Sequence, residues 1–259
     1  MEFRPCIDIH NGKVKQIVGS SLKDEGNQAK DNFVAAQDAS HYAELYRKDQ
    51  LKGGHVILLN KVGSEYYEAT KAQAFSALAA YPGGLQVGGG ITAENAAEFL
   101  EAGASHVIVT SYVFQDGKIN YVNLNKLRDA VGREHIVLDL SVKKKENAYY
   151  VVTDRWQKLT EEKLTVELLK KLEEYADEYL VHAADVEGQQ KGIEAEVAEL
   201  LGSYDGLAVT YAGGVHDFED IRQLKEAGHG RVNVTIGSSL DLFGGKLPYR
   251  EVMEVIRQG

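Results

Sequence analysis

Short apolar runs recur along the chain, and they alternate with longer segments in which the apolar residues have helical spacing. The apolar runs predict eight strands, at 3–7, 55–59, 85–87, 106–110, 135–140, 178–182, 207–211 and 232–236. The helical spacing predicts eight helices, at 40–50, 65–79, 93–102, 123–131, 166–175, 194–201, 218–227 and 249–257. Thr92 and Asp217 are predicted to cap two of these helices. Strands that alternate with helices in this way predict an α/β fold whose parallel sheet is buried on both faces.

Two further runs of alternating apolar residues lie at 13–18 and 149–152. Each of them follows the first predicted strand of one half of the chain. Their short length and their position predict hairpin insertions at strand ends, rather than additional strands of the main sheet.

An internal repeat is the most informative feature of the sequence. VGGGI at 87–91 matches YAGGV at 211–215, EAG at 101–103 matches EAG at 226–228, and VIVTS at 107–111 matches VTIGS at 234–238. The offsets are 124 residues (214 − 90), 125 residues (228 − 103) and 127 residues (238 − 111). This predicts a single (β/α)8 TIM barrel domain over 1–259, with half-barrels at about 1–131 and 132–259. An open doubly wound sheet is the alternative, but the repeat and the lack of GxGxxG at the first βα turn favour the barrel.

The repeat places a glycine pair after the third strand of each half and a serine after the fourth. Glycine lets backbone N–H groups approach an anion, and hydroxyl groups add further donors. One phosphate is therefore predicted to bind Gly89, Gly90, Thr110 and Ser111. A second is predicted to bind Gly213, Gly214, Gly237 and Ser238, in the loops after strands 7 and 8 that often bind phosphate in barrels. Ordinary βα turns are the alternative interpretation of a single glycine pair.

Asp8 and Asp139 occupy equivalent positions in the first strand of each half, 131 residues apart (139 − 8). In a barrel, both would lie at the mouth where active sites are built. Two carboxylates between two phosphate sites predict a pair of general acid and base. The alternative is that each aspartate caps a loop or binds a lysine such as Lys13 or Lys143.

Charge and composition narrow the choice of partners. The net charge is −10, from 29 basic and 39 acidic residues, and this argues against a nucleic acid partner. The single cysteine, Cys6, indicates a reducing compartment, and neither a signal peptide nor a long apolar span is evident. A cytoplasmic protein that binds a small phosphorylated molecule, not a membrane, is expected, and it is expected to be a monomer.

The chain resembles the phosphoribosylformimino-5-aminoimidazole carboxamide ribotide isomerases of histidine biosynthesis, especially their eukaryotic-type branch. The resemblance rests on CIDIHNGKVKQ at 6–16, QVGGGI at 86–91, DLS at 139–141, HAADVEG at 182–188, YAGG at 211–214 and GSSLD at 237–241. These segments are spread over nearly the whole chain. The glycine motifs are shared by many phosphate-binding barrels, whereas the opening segment and HAADVEG are much more specific to this family.

The resemblance implies an Amadori rearrangement of an aminoaldose ribonucleotide, with a phosphate at each end, to an aminoketose. It implies no cofactor and no metal. Asp139 would act as the general acid that opens the ribose ring, and Asp8 would remove the proton from C2′; the symmetry of the pair also allows the reverse. Trp156 would stack on the substrate ring, while His182 and Asp185 are further candidates for substrate contact. Each of these three could instead have only a structural role.

Three residues depart from the pattern of many bacterial members of the family: Ala183, Thr92 and Gln16. They fit the eukaryotic-type branch, and they leave the contacts around Asp139 and the phosphates open.

Three other functions are alternatives to the isomerase. The cyclase subunit of imidazole glycerol phosphate synthase shares the repeat and both aspartates, but it has lysine where this chain has Gln16. A non-catalytic sugar-phosphate-binding barrel would need the phosphate sites only. A Schiff-base aldolase needs a lysine at an inner strand end, and none of the predicted strand ends has one, although Lys61 lies just beyond strand 2.

Overall fold

The computed structural model describes residues 1–17, 21–22, 28–154, 156–186 and 192–258. The strands in chain order are β1 (Cys6–His10), β2 (Lys13–Ile17), β3 (Asp31–Val34), β4 (Gly54–Leu58), β5 (Leu85–Gly88), β6 (His106–Val109), β7 (Phe114–Gln115), β8 (Lys118–Ile119), β9 (Ile136–Asp139), β10 (Val142–Lys145), β11 (Ala148–Thr153), β12 (Lys158–Lys163), β13 (Glu178–His182), β14 (Ala208–Ala212) and β15 (Asn233–Thr235). The helices are α1 (Ala39–Lys48), α2 (Tyr67–Ala80), α3 (Ala96–Glu101), α4 (Tyr121–Val131), α5 (Val166–Leu172), α6 (Ala195–Ser203), α7 (Phe218–Ala227) and α8 (Tyr249–Arg257). No helix of this described part is both long and apolar enough to cross a membrane.

Eight parallel strands close into a barrel. They are neighbours in the order β1, β4, β5, β6, β9, β13, β14 and β15. Phe3 forms a parallel bridge with Val234 of β15, and the Arg4 N–H donates to the Val234 carbonyl oxygen at 2.8 Å. The last strand therefore pairs with the segment just before the first one, and the predicted (β/α)8 barrel is confirmed.

The first strand begins later than the apolar pattern predicts. The pattern predicts a strand at 3–7, whereas β1 spans Cys6–His10. Pro5 has no N–H to donate, and its carbonyl oxygen instead accepts the N–H of His55 at 2.9 Å. Beyond Ile7 the strand continues because Ile9 pairs with Val14 of β2.

The two predicted helix caps differ in outcome. Asp217 caps α7 and forms a capping box with Asp220, as predicted. The prediction for Thr92 is wrong, because α3 begins only at Ala96 and Asn95 precedes it. The Thr92 hydroxyl oxygen instead accepts a hydrogen bond from the Glu94 N–H within a turn, at 3.3 Å.

The predicted hairpin insertions are present and are larger than the sequence indicated. β2 pairs with β1 and β3, and β10, β11 and β12 form a separate antiparallel sheet. Residue 18, the end of the first predicted insertion, lies outside the described residues. A third hairpin, β7 and β8, was missed although its Asp116-Gly117 turn is a common hairpin signal. Both turn residues have positive φ, 52° and 76°.

Apolar and ionic layers fill the barrel interior below its mouth. Ile108, Val137, Leu180 and Ala212 form a buried cluster inside the barrel. Towards the amino ends of the strands, a buried ion pair joins the Arg4 guanidinium to the Glu178 carboxylate. The described interior is therefore packed below the mouth, and the carboxyl ends of the strands are where a barrel is expected to bind a ligand.

Candidate active site

The two glycine pairs have similar backbone φ angles. Gly89 and Gly90 have φ values of 109° and 72°, and Gly213 and Gly214 have 117° and 80°. The repeat is therefore present in the backbone as well as in the sequence. Packing also requires glycine, because a Cβ at Gly89 would lie 2.2 Å from the Leu58 carbonyl oxygen. The turn interpretation and the phosphate interpretation of these glycines are thus compatible.

The second predicted phosphate set opens onto a cavity at the barrel mouth. Gly213, Gly214, Gly237 and Ser238 all line it. Asp8 and His182 line the same cavity. This part of the predicted site is therefore brought together by the fold.

The first predicted phosphate set has different surroundings. Its members do not line that cavity: Gly89, Gly90, Thr110 and Ser111. The Thr110 hydroxyl donates to Oδ2 of Asp139 at 3.2 Å. The Ser111 hydroxyl oxygen accepts the Asp154 N–H at 3.1 Å. The hydroxyl of Thr110 thus supports a carboxylate in this structure, so the two halves are not chemically equivalent.

Asp139 is surrounded by hydrogen-bond donors. The Ser141 N–H and hydroxyl donate to its Oδ1 at 2.9 and 2.7 Å, and Nδ1 of His182 lies 3.6 Å from the same oxygen. Burial alone would raise the pKa of Asp139, but His182 and the hydroxyl groups of Ser141 and Thr110 together lower it below its ordinary value. The alternative partner, Lys143, donates to the Trp156 carbonyl oxygen instead. Because it accepts the Ser141 N–H, Asp139 also supports its own loop.

Asp8 has a different neighbour. Gln16, on β2, donates its Nε2 hydrogen to Oδ2 of Asp8 at 3.1 Å. The first hairpin insertion therefore places one of the departures from the bacterial pattern directly on a predicted catalytic carboxylate. Cys6 and His55 are also close, with donor atoms within 4.8 Å of one another and of an Asp8 carboxylate oxygen.

His55 is a site residue that the sequence did not reveal. It is only 3% exposed and pairs in register with Cys6. Burial first, and then the repulsion of His182, lower the pKa of His55 from 6.5 to about 3, although Asp139 opposes this shift. Its imidazole is therefore neutral at physiological pH. The ring centroids of His55 and His182 are 6.3 Å apart, so two histidines connect the surroundings of Asp8 and Asp139.

Trp156 and Asp185, the further candidates for substrate contact, have different surroundings. The ring of Trp156 lies beside His182, with centroids 5.9 Å apart at 47°. Asp185 is exposed, does not line the cavity, and accepts the Lys144 N–H at 2.7 Å. Ala183 is buried in the barrel wall, where its N–H donates to the Ala212 carbonyl oxygen. Residues 187 and 188 of the HAADVEG segment lie outside the described residues.

The fold, the glycine turns and the aspartates can be compared with known proteins. A family model described as "Histidine biosynthesis protein" matches residues 2–247. The chain belongs to this family.

Relatives within the histidine biosynthesis family come from a plant and from fungi. A chloroplastic 1-(5-phosphoribosyl)-5-((5-phosphoribosylamino)methylideneamino) imidazole-4-carboxamide isomerase of Medicago truncatula is 51% identical over 257 residues, covering 98% of this chain and 81% of the relative. Isomerases with the same description in Neurospora crassa and Saccharomyces cerevisiae are 43% and 41% identical, over 94% and 95% of this chain and 93% and 94% of their own lengths. The predicted relationship to eukaryotic-type isomerases is confirmed, and the cyclase alternative is not favoured.

Proposed function

We propose that this chain is the aldose–ketose isomerase of the fourth step of histidine biosynthesis. It converts the phosphoribosylformimino-aminoimidazole carboxamide ribonucleotide from the aminoaldose to the aminoketose. The observation that carries the proposal is that Asp8 and Asp139 occupy repeat-equivalent strands of the barrel, and that the two repeated glycine pairs have similar φ angles. Membership of the histidine biosynthesis family, and the similarity to isomerases of a plant and of fungi, support the same proposal.

The reaction needs one acid and one base. A proton delivered to the ring oxygen breaks its bond to C1′, and the nitrogen lone pair forms an iminium ion. A carboxylate then removes the proton from C2′, and the electrons of that C–H bond form an enolamine. Loss of the hydroxyl proton at C2′ and protonation at C1′ give the ketone, so the rearrangement needs no external oxidant or reductant.

We assign proton delivery to the pair formed by Asp139 and His182, and proton removal to Asp8. Because the pKa of Asp139 is lowered, this carboxyl group is ionised in the free enzyme. We propose that the proton it delivers is relayed through the neighbouring imidazole of His182, whose Nδ1 lies 3.6 Å from its Oδ1. Two carboxylates with unlike surroundings are the usual arrangement when one gives and the other takes a proton.

Substrate binding would use both halves of the mouth. We propose that one phosphate binds Gly213, Gly214, Gly237 and Ser238, and that the other binds Gly89, Gly90, Thr110 and Ser111. The indole of Trp156 would stack on the imidazole carboxamide, as its position beside His182 allows. Asp185, which is exposed and bonded to backbone, is the weakest of the proposed substrate contacts.

The decisive experiment supplies the purified chain with the aminoaldose alone, without ammonia or a glutaminase. Proton NMR in D2O should show the aminoketose appearing with deuterium at C1′, because the enolamine is protonated from solvent there. A requirement for ammonia would support the cyclase, and tight binding without conversion would support a non-catalytic binding barrel. Either result would overturn the proposal.

We further propose that the chain acts as a monomer in the cytoplasm. A net charge of −10 opposes self-association, and the single, buried cysteine suits a reducing compartment. Light scattering of the purified chain, and imaging of the tagged chain in its own cells, test the two statements. A dimer mass or an organellar signal would contradict them.

A further inference from the structure

A thiol, an imidazole and a carboxylate, all of which can bind a metal ion, lie close together in the lining of the cavity. The Cys6 sulfur, a nitrogen of His55 and a carboxylate oxygen of Asp8 all lie within 4.8 Å of one another. Cys6 and His55 are 5% and 3% exposed, and the register of β1 and β4 pairs them directly. Asp8 follows Cys6 by two residues, so both side chains point to the same face of β1. The backbone of two central strands therefore fixes the three groups together.

This donor set matches the chemistry of zinc. Zn²⁺ binds thiolate, imidazole and carboxylate groups at about 2.0–2.3 Å in tetrahedral geometry, so its ligand atoms lie roughly 3.3–3.8 Å apart. Because the ligand atoms lie within 4.8 Å of one another, side-chain movements of about 1 Å would bring them to these distances. All three residues line the open cavity, which leaves the fourth position to water, as in sites with three protein ligands.

We propose that Cys6, Asp8 and His55 form a binding site for a zinc-type divalent cation, and that the bound cation inhibits the enzyme. On binding, the Cys6 thiol releases its proton to solvent, and a lone pair of Asp8 becomes bound to the metal. Asp8 can then no longer accept the proton from C2′. This inhibitory consequence rests on the proposed function, whereas the metal site itself rests on the geometry alone.

Co²⁺ is the probe that tests the site without relying on activity. Added to the metal-free chain, it should bind one ion per chain and produce a thiolate-to-cobalt charge-transfer band in the near ultraviolet. Cys6 is the only cysteine, so the band reports its sulfur alone. Cys6→Ser should abolish the band, and His55→Gln should weaken Zn²⁺ binding in calorimetry at least about 10-fold. His216→Gln, which alters a different cluster of His216, Asp217 and Asp220, should bind as the parent does.

Inhibition is measured for each variant as its turnover rate with Zn²⁺ relative to its own rate without metal. Micromolar Zn²⁺ should lower turnover of the parent chain, a chelator should restore it, and Cys6→Ser should resist the metal. If Cys6→Ser does not fold, the presence or absence of the band in the parent chain still decides the site. No band would overturn the site, and a band without inhibition would overturn the inhibitory role. A chain that never converts the aminoaldose would refute the proposed function, while the cobalt band still decides the metal site.

Discussion

Asp8 and Asp139 are equivalent in the repeat but have different chemical environments. Ser141, Thr110 and His182 surround Asp139, whereas Gln16 from the first hairpin donates to Asp8. Hydrogen bonds to the charged form stabilise a carboxylate, and amide and imidazole partners do so to different extents. The division of the two chemical roles therefore comes from the residues around the pair, which the repeat does not duplicate.

Replacing either carboxylate should remove turnover without removing binding. We expect Asp8→Asn and Asp139→Asn each to lower kcat by about 10²–10⁴, because each removes one proton-transfer group, with a much smaller change in KM. Steady-state kinetics with the aminoaldose measure this. Asp129→Asn, at a side chain that is 74% exposed, is the matched control. Unchanged kcat in either variant would mean that this carboxylate transfers no proton.

The buried His55 should make the protein less stable in acid. Its pKa of about 3 lies below the ordinary 6.5, so between these values the unfolded chain binds a proton that the folded chain does not. The free energy of unfolding should therefore fall as the pH drops from about 6.5 towards 3, with a contribution of up to about 1.4 kcal/mol per pH unit. Denaturant titrations of His55→Gln should show a shallower pH dependence in this range, and exposed His41→Gln should not. Equal slopes would contradict the burial of a neutral imidazole.

The barrel strands and helices were easier to predict than the antiparallel strands added to the barrel. The helices and strands fall within a few residues of their predicted bounds, because periodic apolar patterns are local signals. The antiparallel additions were harder to predict, since β3, β10 and β12 carry many polar residues and are partly exposed. The additions nevertheless deliver Gln16 and Trp156 to the mouth.

A pair of glycine variants separates backbone strain from steric conflict. Gly214 and Gly63 both have φ near 80°, but a Cβ at Gly214 would lie 2.0 Å from the Gly192 carbonyl oxygen, while Gly63 has no neighbour within 4 Å. Gly63→Ala should cost about 1 kcal/mol of unfolding free energy from the left-handed conformation alone. Gly214→Ala should cost at least about 2 kcal/mol more and should raise KM. Similar costs in chemical denaturation would show that this turn relaxes easily.

The barrel closes through contacts at both ends of the chain. Phe3 pairs with Val234, and the Arg4 guanidinium reaches across the barrel to Glu178, which also accepts the Gln86 side-chain amide at 2.6 Å. Arg4 and Gln86 lie in the first predicted half and Glu178 lies in the second. The division into half-barrels at about residues 131 and 132 stays a prediction, but this ion pair joins residues on either side of it.

Removing Glu178 should destabilise the whole barrel. The Arg4 and Glu178 side chains are 9% and 13% exposed, so Glu178→Ala would remove the buried partner of this cation and leave it the exposed Glu2 carboxylate, 3.4 Å away. We expect a loss of about 3–5 kcal/mol of unfolding free energy, measured by denaturant titration. Glu161→Ala breaks the exposed Lys118–Glu161 pair, with side chains 66% and 67% exposed, and should cost less than about 1 kcal/mol. A comparably small loss for Glu178→Ala would mean that water solvates Arg4.

The sequence by itself determined the order of strands and helices, the twofold repeat, the glycine turns and the pair of aspartates. These depend on local periodicity and on motifs that occur twice, which a single chain displays directly. Only the tertiary structure decided that His55 and Cys6 lie beside Asp8, that Thr110 supports Asp139, and that Arg4 joins Glu178. Those contacts join residues 29 to 174 positions apart, or they depend on strand register, so barrel closure rather than any local pattern brings them together.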